Sequence, residues 1–263
     1  MAEFYGTKFQ ISVQKRMQER QSWFDATPGA ANGGRLLNFP DPEAVGWERI
    51  AELFAQDSVL SLTAQPLDRI LPIVTELFGT DRSYPIWDVF FGNASEVTAK
   101  SGAVIKGIPI ASGWRLECFT TPDDDLIEQV QVLNMATGVA PYPAFYMRGE
   151  ATPCMTSCLW DAHGALVATA SASFRYHPEG RLADYAFNGS ISVSPDNRGQ
   201  GLAKLVNAAV LLESQKAYNW INCLAQVQAD NIASRKMIEA CGMRMSDTLK
   251  TVAVIGSDAP FTR

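Results

Sequence analysis

The sequence predicts an α/β protein in two parts, with a smaller α/β domain preceding a larger one. Three observations predict this. Between residues 114 and 256 the hydrophobic spacing changes repeatedly from strand-like alternation to helical spacing, in the order β-α-β-β-β-α-β-α-β-β. Residues 42–92 alternate helix and strand separately, without visible catalytic chemistry. The chain, at 263 residues, is also long enough for two domains, which we place at residues 1–110 and 111–263.

Composition excludes several classes of function. Hydrophobic residues make up 47% and charged residues 19% of the chain, as in ordinary globular proteins. The net charge of −6 argues against nucleic-acid binding. No apolar run approaches roughly 18 residues and the first residues contain no apolar signal segment, so we expect no membrane association.

Cysteine usage predicts reduced thiols in a cytoplasmic protein. The chain has five cysteines at irregular spacing and only two histidines, so neither a disulfide framework nor a metal site is expected. The cysteines are Cys118, Cys154, Cys158, Cys223 and Cys241.

In the first half, residues 1–23 are polar with weak periodicity. The glycine-rich segment at residues 27–34 lacks the Lys-Ser/Thr of a phosphate-binding P-loop and follows no strand, so it is predicted to be a linker. A helix is then predicted from Pro42, a strand over residues 58–64, a helix over Leu67–Phe78 and an aromatic strand over residues 84–92.

The second half has clearer boundaries. Residues 114–119 alternate like a strand, and the helix after them is predicted to have Thr121 as its N-cap and Gly138 just past its end. Two strands joined by the turn at residues 161–164 form a hairpin. The remaining predicted elements are strand 185–194, helix 202–217, strand 220–227, a short helix ending at Gly242, and one or two final strands.

The junction between strand 185–194 and helix 202–217 is unusually bare. It reads Arg198-Gly-Gln-Gly-Leu-Ala203, the pattern R-x-x-G-x-A. The first backbone N–H groups of a helix lack partners, and the helix dipole is positive there, so a diphosphate binds well if no side chain obstructs it. Taken alone, a glycine pair more often forms a tight turn than a phosphate site. A Rossmann site fits poorly, because Lys204 occupies the third glycine position.

A second motif lies about thirty residues further on, at Asn231-x-x-Ser234 with Gly242 after it. The two motifs at this spacing, in this order of strands and helices, resemble the GNAT superfamily of acyl-CoA-dependent N-acyltransferases. Val193-x-Pro195 fits the family's V-x-P. The resemblance covers residue 114 to about residue 256. It implies the GNAT fold, a mixed, mainly antiparallel central sheet flanked by helices.

The resemblance also implies acetyl-CoA as co-substrate. In GNAT proteins the strand corresponding to residues 185–194 splays from the one corresponding to residues 220–227, and the gap holds the pantetheine arm. Ile191 and Val193 would contact pantetheine through their backbone, and the glycine junction would hold the diphosphate. The implied cofactor-binding residues are Ile191, Val193, Arg198, Gly199, Gln200, Gly201, Leu202, Ala203, Asn231 and Ser234.

The implied reaction is direct attack of an amine on the thioester. It requires a neutral amine, a donor to the developing oxyanion and a proton for the departing thiolate. The backbone N–H of Val193 is the predicted oxyanion donor.

The acid and the base are not identified. Many family members carry a general-acid Tyr where this chain has Ile238. Ser234, Tyr218 and Cys223 are candidate acids, with ordinary packing or capping as the alternative for each. His177 is a candidate base, and the alternative is that it is a solvated turn residue. Asp184, the other residue considered as a base, lies at the start of the predicted strand 185–194. A water-relayed proton, or an amine deprotonated on entry, would remove the need for a base.

Some GNAT proteins, the glycine N-acyltransferase-like group among them, carry a degenerate copy of the fold before the active one. The strands at residues 58–64 and 84–92 resemble that arrangement. The first half would then shape the acceptor pocket, with Trp87 and Phe90 in its wall, whereas the alternative is a core aromatic cluster.

Three functions are compatible with these features. The favoured one is transfer of an acetyl group to a small-molecule primary amine, by a monomer or homodimer. The alternatives are a peptide or protein N-acetyltransferase, which would need an open groove, and a non-catalytic CoA-binding sensor, which the isoleucine at position 238 keeps open.

Overall fold

A computed structural model describes residues 3–257 of the chain. Its strands form a single ten-stranded sheet. The strands are β1 (Ala31–Asn32), β2 (Leu37–Phe39), β3 (Val59–Pro66), β4 (Ile86–Asn93), β5 (Arg115–Phe119), β6 (Cys154–Trp160), β7 (Leu166–Ser173), β8 (Tyr185–Val193), β9 (Asn222–Gln228) and β10 (Arg244–Ile255). The helices are α1 (Lys8–Glu19), α2 (Gln21–Asp25), α3 (Pro42–Val45), α4 (Trp47–Asp57), α5 (Leu67–Phe78), α6 (Ala94–Gly107), α7 (Asp124–Ala136), α8 (Ala144–Met147), α9 (Leu202–Tyr218) and α10 (Ile232–Ala240).

The sheet passes through both halves of the chain. Its strand order is β1-β2-β3-β10-β4-β9-β8-β7-β6-β5, so the last strand lies between two strands of the first half. Only the β2–β3 and β8–β9 pairs are parallel, and the other pairs are antiparallel. The mixed, mainly antiparallel sheet is therefore confirmed. The domain boundary at residues 110 and 111 stays a prediction.

The second half follows the predicted order of elements, with the short helix α8 added between α7 and β6 and one correction at a helix start. The N-cap of α7 is Asp123, whose side chain accepts a hydrogen bond from the N–H of Leu126, and not Thr121. A carboxylate at this position also interacts favourably with the helix dipole, which a threonine does not. Gly138 follows the helix end in the left-handed conformation, as predicted.

The first half contains more structure than its sequence pattern indicates. α1 and α2 form from residues whose periodicity is weak, and α1 is stabilised by a capping box between Thr7 and Gln10. The predicted linker at residues 27–34 is wrong in its second part, because β1 pairs with β2 and is buried. α6 is a further helix that the sequence analysis did not separate.

Two layers of helices cover the sheet. α6, α9 and α10 pack on one face, against alternate residues of β9 such as Ala225 and Val227. α7 and α8 lie on the opposite face with Cys154 and Cys158 of β6. Within residues 3–257, no helix has the length and apolar character needed to cross a membrane. In the same span, His, Cys, Asp and Glu side chains form no cluster of three that would hold a metal ion.

Each half contains two strands that run parallel to each other, and one strand of each pair has a bulge. β8 has a bulge at Ser190, whose φ is 51°, and β3 has one at Ala64, whose φ is 55°. β3 and β4 run parallel because β10 is antiparallel to both. Between β3 and β4 the space is filled by β10, whereas β8 and β9 pair with each other directly over only part of their length.

Candidate active site

The gap between β8 and β9 opens where the sequence predicted it. The two strands pair from Tyr185↔Asn222 to Asn188↔Ala225, and no pairing continues beyond that point among the described residues. β8 then runs on to Val193 and β9 to Gln228. The backbone edges of Ile191 and Val193 that face β9 are thus separated from it, after a bulge at Ser190 that turns the strand.

The glycine junction leads from this gap into α9. Gly199 and Gly201 have φ values of 79° and 80°, the left-handed region in which other residues are strained. No side chain caps the N-terminus of α9, and a Cβ atom at Gly199 would meet nothing within 4 Å. The junction is exposed, and the Arg198 side chain turns back toward the carbonyl of Val193 at 3.5 Å.

Asn231 and Ser234 stand on the other side of the gap. The Asn231 side chain caps α10 by accepting a hydrogen bond from the N–H of Ser234 at 3.1 Å. Both residues line a cavity of about 260 Å³ that begins at the gap, and Ile238 forms part of the same wall.

The cavity extends from the gap to elements of the first half. β8 and β9 contribute Phe187 to Ile191 and Gln226 to Gln228. The rest of the lining includes Phe9, Gln10 and Val13 of α1, Arg35 and Leu36 of the turn between β1 and β2, and Trp87 of β4, the strand that pairs with β9. Trp87 is therefore a pocket residue as expected, whereas Phe90 is completely buried against the α6–α9 layer, in the core alternative.

Three polar atoms in this wall have no hydrogen-bond partner within the described part of the chain. They are Asn188 Oδ1, Ser190 Oγ and Gln226 Nε2. A buried polar atom without a partner costs free energy, and such atoms at a cavity wall are commonly satisfied by a ligand. The sequence analysis did not identify them, because strand alternation does not show which inward polar residue faces a cavity.

Two arginines that the sequence analysis also missed lie at the cavity, one in the turn between β1 and β2 and one just after β7. Arg35 and Arg175 both line it. The Arg35 guanidinium lies 4.5 Å from the ring centroid of Tyr142, and Nη2 of Arg175 donates to the hydroxyl of the same tyrosine at 2.7 Å. Burial lowers the pKa of Arg35, and the charge of Arg175 acts in the same direction.

Of the three candidate acids, only Ser234 lines the cavity. Tyr218 lies at the end of α9, where its ring centroid is 4.5 Å from that of Phe174, and burial raises the pKa of the Tyr218 hydroxyl. Cys223 is completely buried in β9 against the α6–α9 layer, and burial raises the pKa of its thiol. Tyr218 and Cys223 therefore occupy packing positions, which agrees with the alternative given for each.

The candidate bases lie away from the cavity wall. The imidazole of His177 is held by two hydrogen bonds. Its Nε2 donates to the carbonyl of Asp25 in α2 at 3.0 Å, and its Nδ1 accepts from the N–H of Glu179 in its own turn at 3.1 Å. Asp184 is exposed just before β8, where β8 and β9 are still paired. His177 is thus a turn residue, and Asp184 is separated from the gap by the paired part of the strands.

Comparison with known proteins agrees with this geometry. Residues 118–243 match the family model described as the acetyltransferase (GNAT) family. No curated protein matches the sequence significantly.

Solved structures share the fold over nearly the whole chain. A tandem GNAT protein from the clavulanic acid biosynthesis pathway superposes with a TM-score of 0.56 at 17% identity, covering 88% of this chain and 77% of that one. A GNAT-family acetyltransferase from Novosphingobium aromaticivorans gives a TM-score of 0.56 at 15% identity, covering 94% and 97%. A GCN5-related N-acetyltransferase from Kribbella flavida gives 0.54 at 13% identity, covering 95% and 98%.

The tandem relative also agrees with a second, GNAT-like half in this chain. The matched residues contain β6 to β9, the glycine junction and α10. By this match residues 118–243 form an acetyltransferase domain of the GNAT family.

Proposed function

We propose that this protein transfers the acetyl group of acetyl-CoA to a primary amine of a small molecule, by direct attack of the amine. The observation that carries the proposal is the continuity of the cavity with the gap between β8 and β9. Its far wall comes from α1 and the β1–β2 turn, which restricts the space available to an acceptor. A peptide substrate would need an open groove at this place.

The residues at the gap suit acetyl-CoA. The uncapped start of α9 and the two left-handed glycines leave backbone N–H groups open to a diphosphate. We assign that role to residues 198–203, pantetheine contacts to the backbone of Ile191 and Val193, and a position beside the cofactor to Asn231 and Ser234.

In the proposed reaction acetyl-CoA supplies the thioester carbonyl, a C–N bond forms and the C–S bond breaks. The protein orients the amine through the side chains of Asn188, Ser190 and Gln226, which line the cavity. Apolar neighbours such as Val227 and Ile238 exclude water from that side of the cavity. The backbone N–H of Val193 remains the proposed donor to the oxyanion.

Proton transfer has to proceed without the tyrosine that many relatives carry. Among the described residues, those that line the cavity include no carboxylate, histidine, tyrosine, cysteine or lysine. We therefore propose that the amine attacks in its neutral form, either entering neutral or losing its ammonium proton to water. After the C–N bond forms, the nitrogen releases a second proton to water, and water supplies the proton that the CoA thiolate takes up as the C–S bond breaks.

The location and the assembly state are also proposals. All five cysteines are free and four of them are buried, which suits a reducing compartment such as the cytoplasm. A monomer or a homodimer is compatible with the proposed site.

The test is CoA release from acetyl-CoA across a panel of amines, compared for wild type, Gly201→Asp and Gly164→Asp. Gly201→Asp adds bulk and negative charge to the glycine junction. Gly164 has a φ of 82° against 80° for Gly201 and an open surrounding, so its variant reproduces the backbone strain at a distant hairpin turn. We expect the first variant to lose acetyl-CoA binding and turnover and the second to keep both.

Equal acetyl-CoA binding by both variants would contradict the diphosphate assignment. Tight acetyl-CoA binding by the wild type without turnover of any amine would favour the CoA-binding sensor instead.

A further inference from the structure

Arg35 and Arg175 have no acidic partner in the part of the chain that the structure describes. Arg35 donates to the carbonyl of Ala140. Arg175 donates to the hydroxyls of Tyr142 at 2.7 Å and Ser173 at 3.1 Å. All of these acceptors are neutral. Two positive charges at one cavity wall without a counter-ion are unfavourable, so an anion entering the cavity would bind there strongly.

The two guanidinium groups are held in a fixed arrangement. Tyr142 contacts both, through its ring face toward Arg35 and its hydroxyl toward Arg175. On its other side Arg175 stacks over the ring of Phe187 at 3.7 Å. Guanidinium groups that are positioned by aromatic contacts lose little entropy when they bind a carboxylate with two hydrogen bonds.

The turn between β1 and β2 closes over this pair. A Cβ atom at Gly33 would lie 2.2 Å from Nδ2 of Asn38 and 2.5 Å from the carbonyl of Leu36, and 3.4 Å from Nη1 of Arg175. Only glycine therefore allows the turn to be this tight and to lie against Arg175. The first half thus supplies Arg35 and also covers Arg175.

The two arginines are close to the place where the gap between β8 and β9 begins. The ring of Phe187, on which Arg175 stacks, lies 2.8 Å from the position of a Cβ atom at Gly189. Gly189 is next to the bulge at Ser190, just beyond the last paired residue, Asn188. An acceptor with its amine at the gap and an anionic group at the arginines must therefore carry both groups a few bonds apart.

We propose that Arg35 and Arg175 bind the carboxylate of the acceptor, so that the acceptor is an amino acid or a similarly small amine that carries a carboxylate. This inference rests on the proposed transferase function. The net charge of −6 of the whole chain does not describe this cavity, because the ionisable side chains among its described lining residues are the two arginines. Their charge also favours the neutral, reactive form of a nearby amine.

The first experiment compares matched acceptors with the wild-type protein and acetyl-CoA. Each amino acid is assayed beside its amide, its decarboxylated amine and the corresponding aminoalkylphosphonate. The amide has the lower ammonium pKa and therefore more neutral amine, so reactivity alone would favour it. We expect kcat/KM for the preferred amino acid to exceed that for its amide by about 100-fold or more.

The second experiment compares the variants Arg35→Gln and Arg175→Gln with Arg69→Gln. Arg69 is an exposed control, with 63% of its side chain accessible in a surface ion pair. We expect the two cavity variants to lose most of the preference for the amino acid over its amide, and to retain the affinity for acetyl-CoA. Arg175 has more internal contacts than Arg35, so Arg175→Gln is the variant more exposed to misfolding. If it does not fold, the result for Arg35→Gln alone tests the inference.

Some outcomes would overturn the inference while leaving the transferase intact. These are turnover of amides or plain amines as fast as amino acids, a preference for the phosphonate over the carboxylate, and a preference for succinyl-CoA over acetyl-CoA with a neutral amine. The last result would assign the arginines to the donor's acyl group. Absence of turnover with every amine, in contrast, would be a failure of the proposed function itself.

Discussion

At the scale of single residues, the cavity lacks the acid–base groups usual for its reaction. Ile238 forms part of the cavity wall, and within residues 3–257 the only ionisable side chains that line the cavity are those of Arg35 and Arg175. Arginine stays protonated at any working pH. The protonation state of the amine substrate should therefore control the rate.

This absence predicts a simple pH dependence. We expect kcat/KM for the acceptor to rise about tenfold per pH unit below the ammonium pKa of the acceptor, and to become level near that pKa. The inflection should move with the acceptor when amines of different pKa are compared. Initial rates from pH 6 to pH 10 with two such amines measure it.

An inflection that stays at one pH for all acceptors would instead reveal a titrating group of the protein. Tyr218→Phe and Ser234→Ala, which each remove the hydroxyl of a candidate acid, are the variants to compare in that case. With no such group, neither variant should move the inflection.

How far single residues were predictable depended on how local their signal is. Gly199 and Gly201 were identified because a left-handed backbone before a helix is encoded by the glycines themselves. Arg35 follows a segment that resembles a linker, and its significance depends on Tyr142, more than a hundred residues away. Arg175 depends in the same way on Tyr142 and Phe187. A pattern in one sequence does not contain such pairings.

At the scale of elements, α1 and α2 are held against α4 by one buried carboxylate. Asp57 is the last residue of α4, where a negative charge opposes the helix dipole. Two ion pairs offset this, with Arg16 and Arg20 each at 2.5 Å from its carboxylate oxygens. The cavity wall depends on this contact, because α1 contributes Phe9, Gln10 and Val13 to it.

Asp57→Asn should therefore destabilise the protein and loosen the cavity. We expect the free energy of unfolding to fall by about 2–3 kcal/mol, toward the lower end for a broken buried pair because both arginines can reach water. KM for the acceptor should rise more than KM for acetyl-CoA, since α1 walls the cavity and does not border the glycine junction. Urea denaturation and steady-state kinetics measure the two effects.

Glu52→Gln is the matched control for this substitution. It removes a carboxylate from the same helix, but its ion pair with Arg49 is exposed, with 62% and 45% of the two side chains accessible. Its cost should stay below about 1 kcal/mol. If the two variants behaved alike, the Asp57 contact would not be what holds α1 in place.

Elements of the second half were predictable from the sequence because their caps and turns are local, as at Gly138 and Gly242. The position of β10 was not. Its sequence predicts a strand, but the partners of that strand, β3 and β4, are set by tertiary packing. The same holds for α1, whose weak periodicity is offset by a capping box and by the contacts of Arg16 and Asp57.

At the scale of the whole molecule, the first half repeats the strand arrangement of the second half but, within the described residues, has no open gap between its parallel strands. β3 and β4 run parallel with a bulge at Ala64, as β8 and β9 do with a bulge at Ser190. In the first half β10 fills the space between the strands with hydrogen bonds on both sides. In the described part of the sheet, the pairing of β8 with β9 stops at Asn188 and Ala225 and no strand fills the space beyond, so we expect one acetyl-CoA site per chain.

The same strand joins the two halves within one sheet. In a fragment of residues 111–263, β10 would lose β3 and β4, and β9 would lose β4, which leaves long unpaired strand edges. We expect this fragment to aggregate or to unfold without a cooperative transition, and not to bind acetyl-CoA. Co-expression with residues 1–110 should restore both properties, and the intact chain should unfold in a single transition by calorimetry and circular dichroism. A fragment that unfolded cooperatively and bound acetyl-CoA alone would instead show that the boundary at residues 110 and 111 separates independent domains, and that the first half serves the acceptor cavity alone.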